Sequence, residues 1–113
     1  MKIVSKTQSI ERKNSNICTV MEYPLTDNDI DFAIIKLAGR YPDKNYVINQ
    51  RCKELVYVQD GNGKIVVNGK ETIINAGDAI IIEIGEKFFW EGDVTLFISC
   101  TPAFTIEQHC LTD

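Results

Sequence analysis

The chain has 113 residues, of which 44% are hydrophobic and 25% are charged, and its formal net charge is -4. This length fits one domain with a hydrophobic core of its own, and the composition is that of an ordinary globular protein. A net negative charge without clustered Lys and Arg argues against nucleic acid or an anionic membrane surface as a partner.

The sequence predicts a cytoplasmic protein without a membrane span. No apolar run approaches the roughly 18 residues that cross a bilayer. Residues 1–16 are polar and lack the apolar middle of a secretion signal. None of the four cysteines forms a C-x-x-C pair, so we expect free thiols rather than a zinc ribbon or a redox motif.

The first half of the chain predicts an arm followed by three strands. Residues 1–16 are interpreted as an N-terminal arm, either mobile or lent to a partner subunit, and residues 17–113 as the folded domain with a C-terminal tail. Asp27, Asp29 and Asp31 alternate along the chain but lack the glycine and distal glutamate of a calcium loop, so we expect a solvated turn. The predicted strands are 17–21, 32–37 and 46–50.

The second half predicts short strands separated by turns. Asn68-Gly69 is the strongest two-residue hairpin signal in the chain, and 60–63, 75–78 and 85–87 are also predicted as turns. The predicted strands are 54–59, 64–67, 71–74, 79–84, 88–90 and 94–99. Turns every 8–12 residues or so without a helical period predict an all-β sandwich or barrel.

The strand at 79–84 carries apolar side chains on both faces. Ile80, Ile82 and Ile84 lie on one face, and Ala79 and Ile81 on the other. Apolar residues on both faces indicate that both are covered at least in part. We therefore expect a homodimer, with the second subunit covering the outer face.

The glycines and one glutamate follow the spacing of two sequence motifs. Glu54 and Gly61 fit E-x6-G, and Gly77 and Gly85 fit the glycines of G-x5-P-x-G-x2-H-x3-N. On these residues the chain resembles the cupin superfamily, which implies a single small jelly-roll β-barrel (a double-stranded β-helix). From 40 to 109 it also resembles a group of small single-domain cupins, through Asn49, the segments 52–54 and 89–92, and a tail with a Pro-Ala-aromatic segment followed by Glu-Gln-His.

Most of the residues that bind the metal in these motifs are absent from this chain. Phe88 stands where the motif has its histidine, Glu83 where it has proline and Gly92 where it has asparagine. The H-x-H pair expected before Glu54 is also absent, since 47, 48, 49 and 50 are Val, Ile, Asn and Gln. Three imidazoles and a carboxylate suit Fe, Mn, Ni or Zn, and without the imidazoles we expect no metal or other cofactor at the usual site.

Glu54 and His109 are the candidate catalytic residues. The resemblance implies that Glu54 points into the barrel, where desolvation raises the pKa of a carboxyl group, as suits a general acid or base. Alternatively, Glu54 pairs with a neighbouring cation or hydroxyl and only fixes its strand. His109, the sole histidine, is either a solvated tail residue or a member of the site.

The candidate ligand-binding residues are Asn49, Cys52, Tyr41, Phe88 and Trp90. The aromatic side chains form either core or a stacking wall, with Tyr41 and Trp90 expected at the barrel mouth. Cys52 is either a small buried apolar residue or, with Glu54 and His109, part of an unusual ligand set for Zn or Fe.

Three functions remain open. The favoured one is a small-molecule-binding protein, without the three-histidine metal site, whose ligand lies in the barrel anchored by Glu54. The second is a sugar isomerase, epimerase or related lyase that uses Glu54 with His109 or a tyrosine. The third is a metalloenzyme with Cys52, Glu54 and His109 as ligands. Fold alone does not decide among them.

Overall fold

The structure, a computed structural model, describes all 113 residues and confirms the predicted all-β class. Two short 3-10 turns, at Lys6–Gln8 and Ile106–Gln108, are the only helical elements. The strands are β1 (Ile10–Ser15), β2 (Cys18–Glu22), β3 (Ala33–Tyr41), β4 (Tyr46–Asn49), β5 (Lys53–Val67), β6 (Lys70–Asn75), β7 (Ala79–Ile82), β8 (Phe88–Thr101) and β9 (His109–Thr112).

The long strands β5 and β8 organise the sheet. Along one edge β8 pairs with β3, which continues to β2 and β1. β8 also pairs antiparallel with β5 over almost its whole length. The first half of β5 pairs with β7 and the second half with β6. The sheet therefore curls around an interior core, as a small barrel requires.

Alternation along β5 decides which side chains face that interior. Glu54, Val56 and Val58 are buried, whereas Leu55 and Tyr57 between them are exposed. A strand with this period presents one set of side chains to the core and the other to the outer face. Glu54 thus shares the core face with two valines, which explains why a carboxyl group lies inside the barrel.

The turn predicted at 60–63 is wrong. β5 continues through these residues, with a bulge between Val58 and Asp60. Gly63 lies opposite Gly92 of β8, and a Cβ added to Gly63 would lie 2.3 Å from the carbonyl oxygen of Glu91. Glycine is required here because the two backbones approach closely, and not because the chain reverses.

The predicted hairpin at Asn68-Gly69 is confirmed. These residues connect β5 to β6, and both have positive φ, 49° and 82°. Two consecutive left-handed residues are the requirement of a type I′ turn, which Asn-Gly meets at low steric cost.

The ends of the chain are part of the sheet. β1 pairs antiparallel with β2 of the same chain, so the sheet begins at Ile10, inside the segment interpreted as an arm. β9 pairs with β4, and this register sets His109 opposite Asn49. The end of the tail therefore extends the sheet.

The structure contains no helix that could span a lipid bilayer. All four cysteines are unpaired.

Candidate functional site

The barrel encloses a cavity of about 220 Å³. Of its 26 lining residues 17 are hydrophobic, so most of the wall is apolar. The segment between β2 and β3 forms part of the wall, which is a frequent role for a long loop over a barrel. The aromatic lining residues are Tyr23, Phe32, Tyr41, Phe88, Trp90 and Phe104, and the polar ones include Arg12, Asn14, Glu22, Asp31, Glu54 and His109.

Glu54 is a buried carboxyl group in the cavity wall. Its side chain accepts a hydrogen bond from Asn49, with 2.7 Å between Nδ2 and Oε1. Burial raises the pKa of Glu54 to about 7, the Asn49 hydrogen bond opposes this change, and the charge of Asp31 adds to it. A carboxyl group with this pKa exists in both protonation states near neutral pH, which is the property of a general acid or base.

Tyr41 and His109 form a second polar pair in the wall. The Tyr41 hydroxyl lies 3.0 Å from Nε2 of His109, and the two rings are nearly parallel, 4° apart in orientation. Burial, with a smaller contribution from the nearby charge of Arg12, lowers the pKa of His109 to about 4. Burial also raises the pKa of Tyr41 to about 12. Both side chains are therefore neutral at physiological pH.

Asn49 connects the two polar groups. Its Oδ1 lies 2.7 Å from Nδ1 of His109, and its Nδ2 donates to Glu54. Asn49 is 1% exposed. Its amide is therefore shielded from solvent and is satisfied by these hydrogen bonds within the protein. A continuous hydrogen-bonded path thus joins Tyr41, His109, Asn49 and Glu54.

The structure places the other predicted ligand-binding residues in two environments. Phe88 and Trp90 line the cavity as an edge-to-face pair with ring centroids 6.4 Å apart. Trp90 is 5% exposed and belongs to the buried wall of the cavity. Cys52 is buried but does not line the cavity. A hydrogen bond with Cys100 lowers the pKa of the Cys52 thiol and raises that of Cys100, and burial adds to the rise at Cys100.

The solvated turn predicted around Asp31 is wrong for that residue. Its two carboxylate oxygens accept from the backbone N–H groups of Cys100 and Phe104, at 2.7 and 2.9 Å. Asp31 lines the cavity and its charge acts on Glu54. The sequence held no direct signal of this contact, because it joins positions about 70 residues apart.

Arg12 was also missed by the sequence analysis, because it lies in the segment interpreted as an arm. It lines the cavity from β1, where it pairs with Glu22 of β2 and donates to the side chain of Asn14. Its guanidinium group lies 6.0 Å from the centre of the Phe104 ring. Arg12 is the only Lys or Arg in the cavity lining.

The residues present do not fit the metal site that the resembled motif carries. Phe88 occupies the histidine position, is 2% exposed and packs against Trp90. No group of three or more His, Cys, Asp or Glu side chains is arranged to hold a metal ion. The set of Cys52, Glu54 and His109 considered from the sequence is therefore not assembled.

Comparison with known proteins agrees with this architecture. Residues 44–96 match the family model of the cupin domain. The match covers a little under half of the chain, and together with the fold it supports a small jelly-roll protein of the cupin type. No curated protein sequence matches it.

Several solved structures share the fold at low sequence identity. Pac13 of Streptomyces, a nucleoside dehydratase, superposes with a TM-score of 0.88 at 16% identity, covering 99% of this chain and 91% of Pac13. An RmlC-like cupin from Shewanella frigidimarina gives 0.75 at 16% identity, covering 91% and 92%. KdgF from Halomonas sp. gives 0.70 at 13% identity, covering 90% and 95%.

Proposed function

We propose that this protein is a proton-transfer enzyme, an isomerase, epimerase or lyase, that acts on a small hydroxylated molecule held in the barrel cavity. The observation that carries the proposal is Glu54, a buried carboxyl group in the cavity wall with a pKa of about 7. Such a group takes or gives a proton near neutral pH, whereas a solvated glutamate is almost fully ionised there.

The Tyr41–His109 pair supplies the second polar contact that this chemistry needs. The Tyr41 hydroxyl makes one hydrogen bond with His109, so at least one lone pair of its oxygen is free to accept a hydrogen bond from a ligand hydroxyl. A ligand oriented in this way would present a neighbouring carbon or oxygen to Glu54. Glu54 would carry the transferred proton, and Tyr41 would hold and polarise the substrate.

The apolar and aromatic wall supports a ligand with a flat or apolar portion beside its hydroxyl groups. Phe88 and Trp90 give that portion a surface for packing, and the carboxyl groups of Glu54 and Asp31 suit hydroxyl donors. Pac13 is a nucleoside dehydratase that has been seen with uridine. Nucleosides and small sugars are therefore the first substrates to test.

The test is proton exchange in deuterated water. The protein is incubated with pyrimidine nucleosides, aldoses and ketoses, and NMR follows both deuterium incorporation and product formation. We expect turnover of at least one compound, and a loss of about 100-fold or more in Glu54→Gln. Glu107→Gln, a change at an exposed carboxyl group, is the matched control and should keep the wild-type rate.

A binding protein without turnover is the second candidate, and the largely apolar wall supports it. In that case a nucleoside or sugar would raise the melting temperature without deuterium incorporation. Glu54→Gln would then weaken binding without abolishing any reaction. The same panel of compounds thus separates the two functions.

A homodimer accompanies this proposal. Leu55, Ile81 and Tyr57 lie together on the outer face, where Leu55 pairs with Ile81 across β5 and β7, and they are 53, 56 and 44% exposed. Covering these side chains with a second copy would remove apolar surface from water. Sedimentation at micromolar concentration should show a dimer that Leu55→Lys dissociates. A monomeric wild-type protein would contradict this part of the proposal.

A further inference from the structure

Gln108 is a buried polar residue that the proposed chemistry does not use directly. It closes the second 3-10 turn, immediately before His109, and is 3% exposed. Its Oε1 lies 3.0 Å from the backbone nitrogen of Arg51 and 3.3 Å from that of Cys52. A backbone N–H can only donate. These two donors therefore define which end of the Gln108 amide is oxygen, and direct its Nε2 the opposite way.

The direction of the Gln108 amide determines that of Asn49. Nε2 of Gln108 lies 3.3 Å from Oδ1 of Asn49, and Nδ1 of His109 lies 2.7 Å from the same oxygen. With its oxygen facing these two nitrogens, the Asn49 amide turns its Nδ2 to Glu54. Because Asn49 is buried, its amide depends on these partners for its hydrogen bonds.

The direction of the Asn49 amide in turn determines the state of the imidazole. An amide oxygen cannot donate, so Nδ1 of His109 must carry the hydrogen of this contact. Nε2 is then the unprotonated nitrogen of the neutral ring, and Tyr41 donates its hydroxyl hydrogen to it. The backbone N–H groups of 51 and 52 thus determine which atom donates in each hydrogen bond that follows. One series of bonds leads through His109 to Tyr41, and the other leads from Asn49 to Glu54.

We propose that Gln108 is a positioning residue that, through Asn49, holds His109 as the Nδ1–H tautomer and directs the Asn49 amide N–H to Glu54. Its effect on turnover rests on the proposed function, whereas its effect on the tautomer does not. Residues of this kind act by orienting the groups that contact the substrate.

The first test uses the wild-type protein and its single histidine. In uniformly ¹⁵N-labelled protein the two ring nitrogens of His109 give the only imidazole signals of the chain. A long-range proton–nitrogen correlation at pH 8 should show Nδ1 protonated and Nε2 unprotonated. Protonation of Nε2 instead would overturn the proposal.

The second test reverses the direction of the network with an almost isosteric change. In Gln108→Glu the side chain still accepts hydrogen bonds from the backbone N–H groups of 51 and 52. Its second oxygen, however, replaces the NH₂ group that donated to Oδ1 of Asn49, so two oxygens face each other. We expect the Asn49 amide to rotate and the tautomer to change to Nε2–H. Gln50→Glu, which adds the same charge at an exposed neighbour, should leave the tautomer unchanged. A folded Gln108→Glu protein with an unaltered His109 spectrum would contradict the proposal.

A second variant keeps the test decisive if Gln108→Glu does not fold. Asn49→Asp still accepts from Nδ1 of His109 but cannot donate to Glu54. We therefore expect this variant to retain the Nδ1–H tautomer at pH 8. Conversion to Nε2–H in Asn49→Asp would show that the direction is not set through position 49, and would overturn the proposal.

Turnover separates the positioning role from the proposed function. With a substrate in hand, Gln108→Glu should lower kcat by about 10- to 100-fold, the usual scale for residues that orient an active group, with little change in KM. An unchanged kcat despite a changed tautomer would overturn the role of Gln108 in turnover. If Glu54→Gln keeps full activity while the tautomer is as proposed, the proposed function fails and the tautomer assignment stands.

Discussion

The hydroxyl of Tyr41 and the imidazole of His109 are in hydrogen-bond contact although 68 residues separate them in sequence. The contact exists because β3 ends at Tyr41 and β9 begins at His109. β9 reaches this position by pairing with β4, which sets His109 opposite Asn49. A tail strand therefore supplies a polar group to the cavity, next to a carboxyl group from β5.

Burial of Glu54 predicts a stability that falls as the pH rises. Because its pKa is raised from 4.5 to about 7 in the folded state, the folded protein binds more protons than the unfolded chain between these values. This contribution is fully present below about pH 4.5 and is lost as the pH rises through 7. It amounts to roughly 3 kcal/mol.

Glu54→Gln should remove this dependence. The variant keeps an oxygen that accepts from Asn49 and carries no charge, so above pH 7 it should unfold at a higher denaturant concentration than the wild type. The difference should shrink towards pH 5. Chemical denaturation across this range measures it, and parallel pH curves for the two proteins would contradict the prediction.

His109 predicts the opposite dependence. Its pKa is lowered from 6.5 to about 4, so the folded protein keeps the ring neutral where the unfolded chain protonates it. This contribution is present above about pH 6.5 and is lost as the pH falls towards 4. The proton on the carbon between the two ring nitrogens should show this titration directly by NMR.

Tyr41→Phe provides the comparison for this titration. Without the hydroxyl donor at Nε2, the neutral ring loses a hydrogen bond, and the pKa of His109 should rise towards its ordinary value. A titration near pH 6.5 in the wild-type protein would show that His109 is solvated.

Asp31 should be important for stability despite its place in a connecting segment. Asp31→Asn leaves one of the two backbone N–H groups, of Cys100 or Phe104, facing an amide NH₂ group. A buried donor without an acceptor costs about 1–3 kcal/mol. The change should also lower the pKa of Glu54, because a nearby negative charge is removed.

Asp29→Asn is the matched control for Asp31, since Asp29 is exposed and lies two residues earlier. It should change the free energy of unfolding by less than about 0.5 kcal/mol. Equal effects of the two substitutions would show that the Asp31 contacts do not stabilise the fold.

The close approach of β5 and β8 at Gly63 predicts that two glycine substitutions lower the free energy of unfolding by different amounts. In Gly63→Ala the new Cβ would meet the backbone of Glu91 and Gly92, so the strands must separate. We expect a loss of more than about 3 kcal/mol. In Gly69→Ala no atom lies within 4 Å of the new Cβ, and the cost should be near 1 kcal/mol, from the positive φ alone. Similar melting temperatures for the two variants would contradict the close approach.

The sequence predicted the features that depend on local conformation. The Asn68-Gly69 turn is confirmed because its φ requirement is a property of two adjacent residues. Most strand centres are likewise confirmed, since β-branched residues and turn glycines mark them. The turn predicted at 60–63 failed because glycine serves a close approach as well as it serves a turn, and the chain alone does not distinguish these uses.

The site was predictable only where a motif marked it. Glu54 was found through its spacing to Gly61, and the structure places it in the cavity wall. The contacts of His109 with Tyr41 and Asn49 depend on strand pairing across the sheet, which no local pattern encodes. Arg12 was not predicted as a cavity residue. The sequence of β1 is polar and does not differ from that of an unstructured arm, and only its pairing with β2 identifies it as a strand.

The pKa of Glu54 tests the proposed proton transfer most directly, and it can be followed through the carboxyl ¹³C signals of glutamate-labelled protein between pH 3 and 9. Comparison with Glu54→Gln identifies the signal. We expect a midpoint of about 7, which would leave this carboxyl group able to exchange a proton with a ligand in the cavity. A midpoint near 4.5 would show a solvated, permanently ionised carboxylate and would contradict the proposed proton transfer.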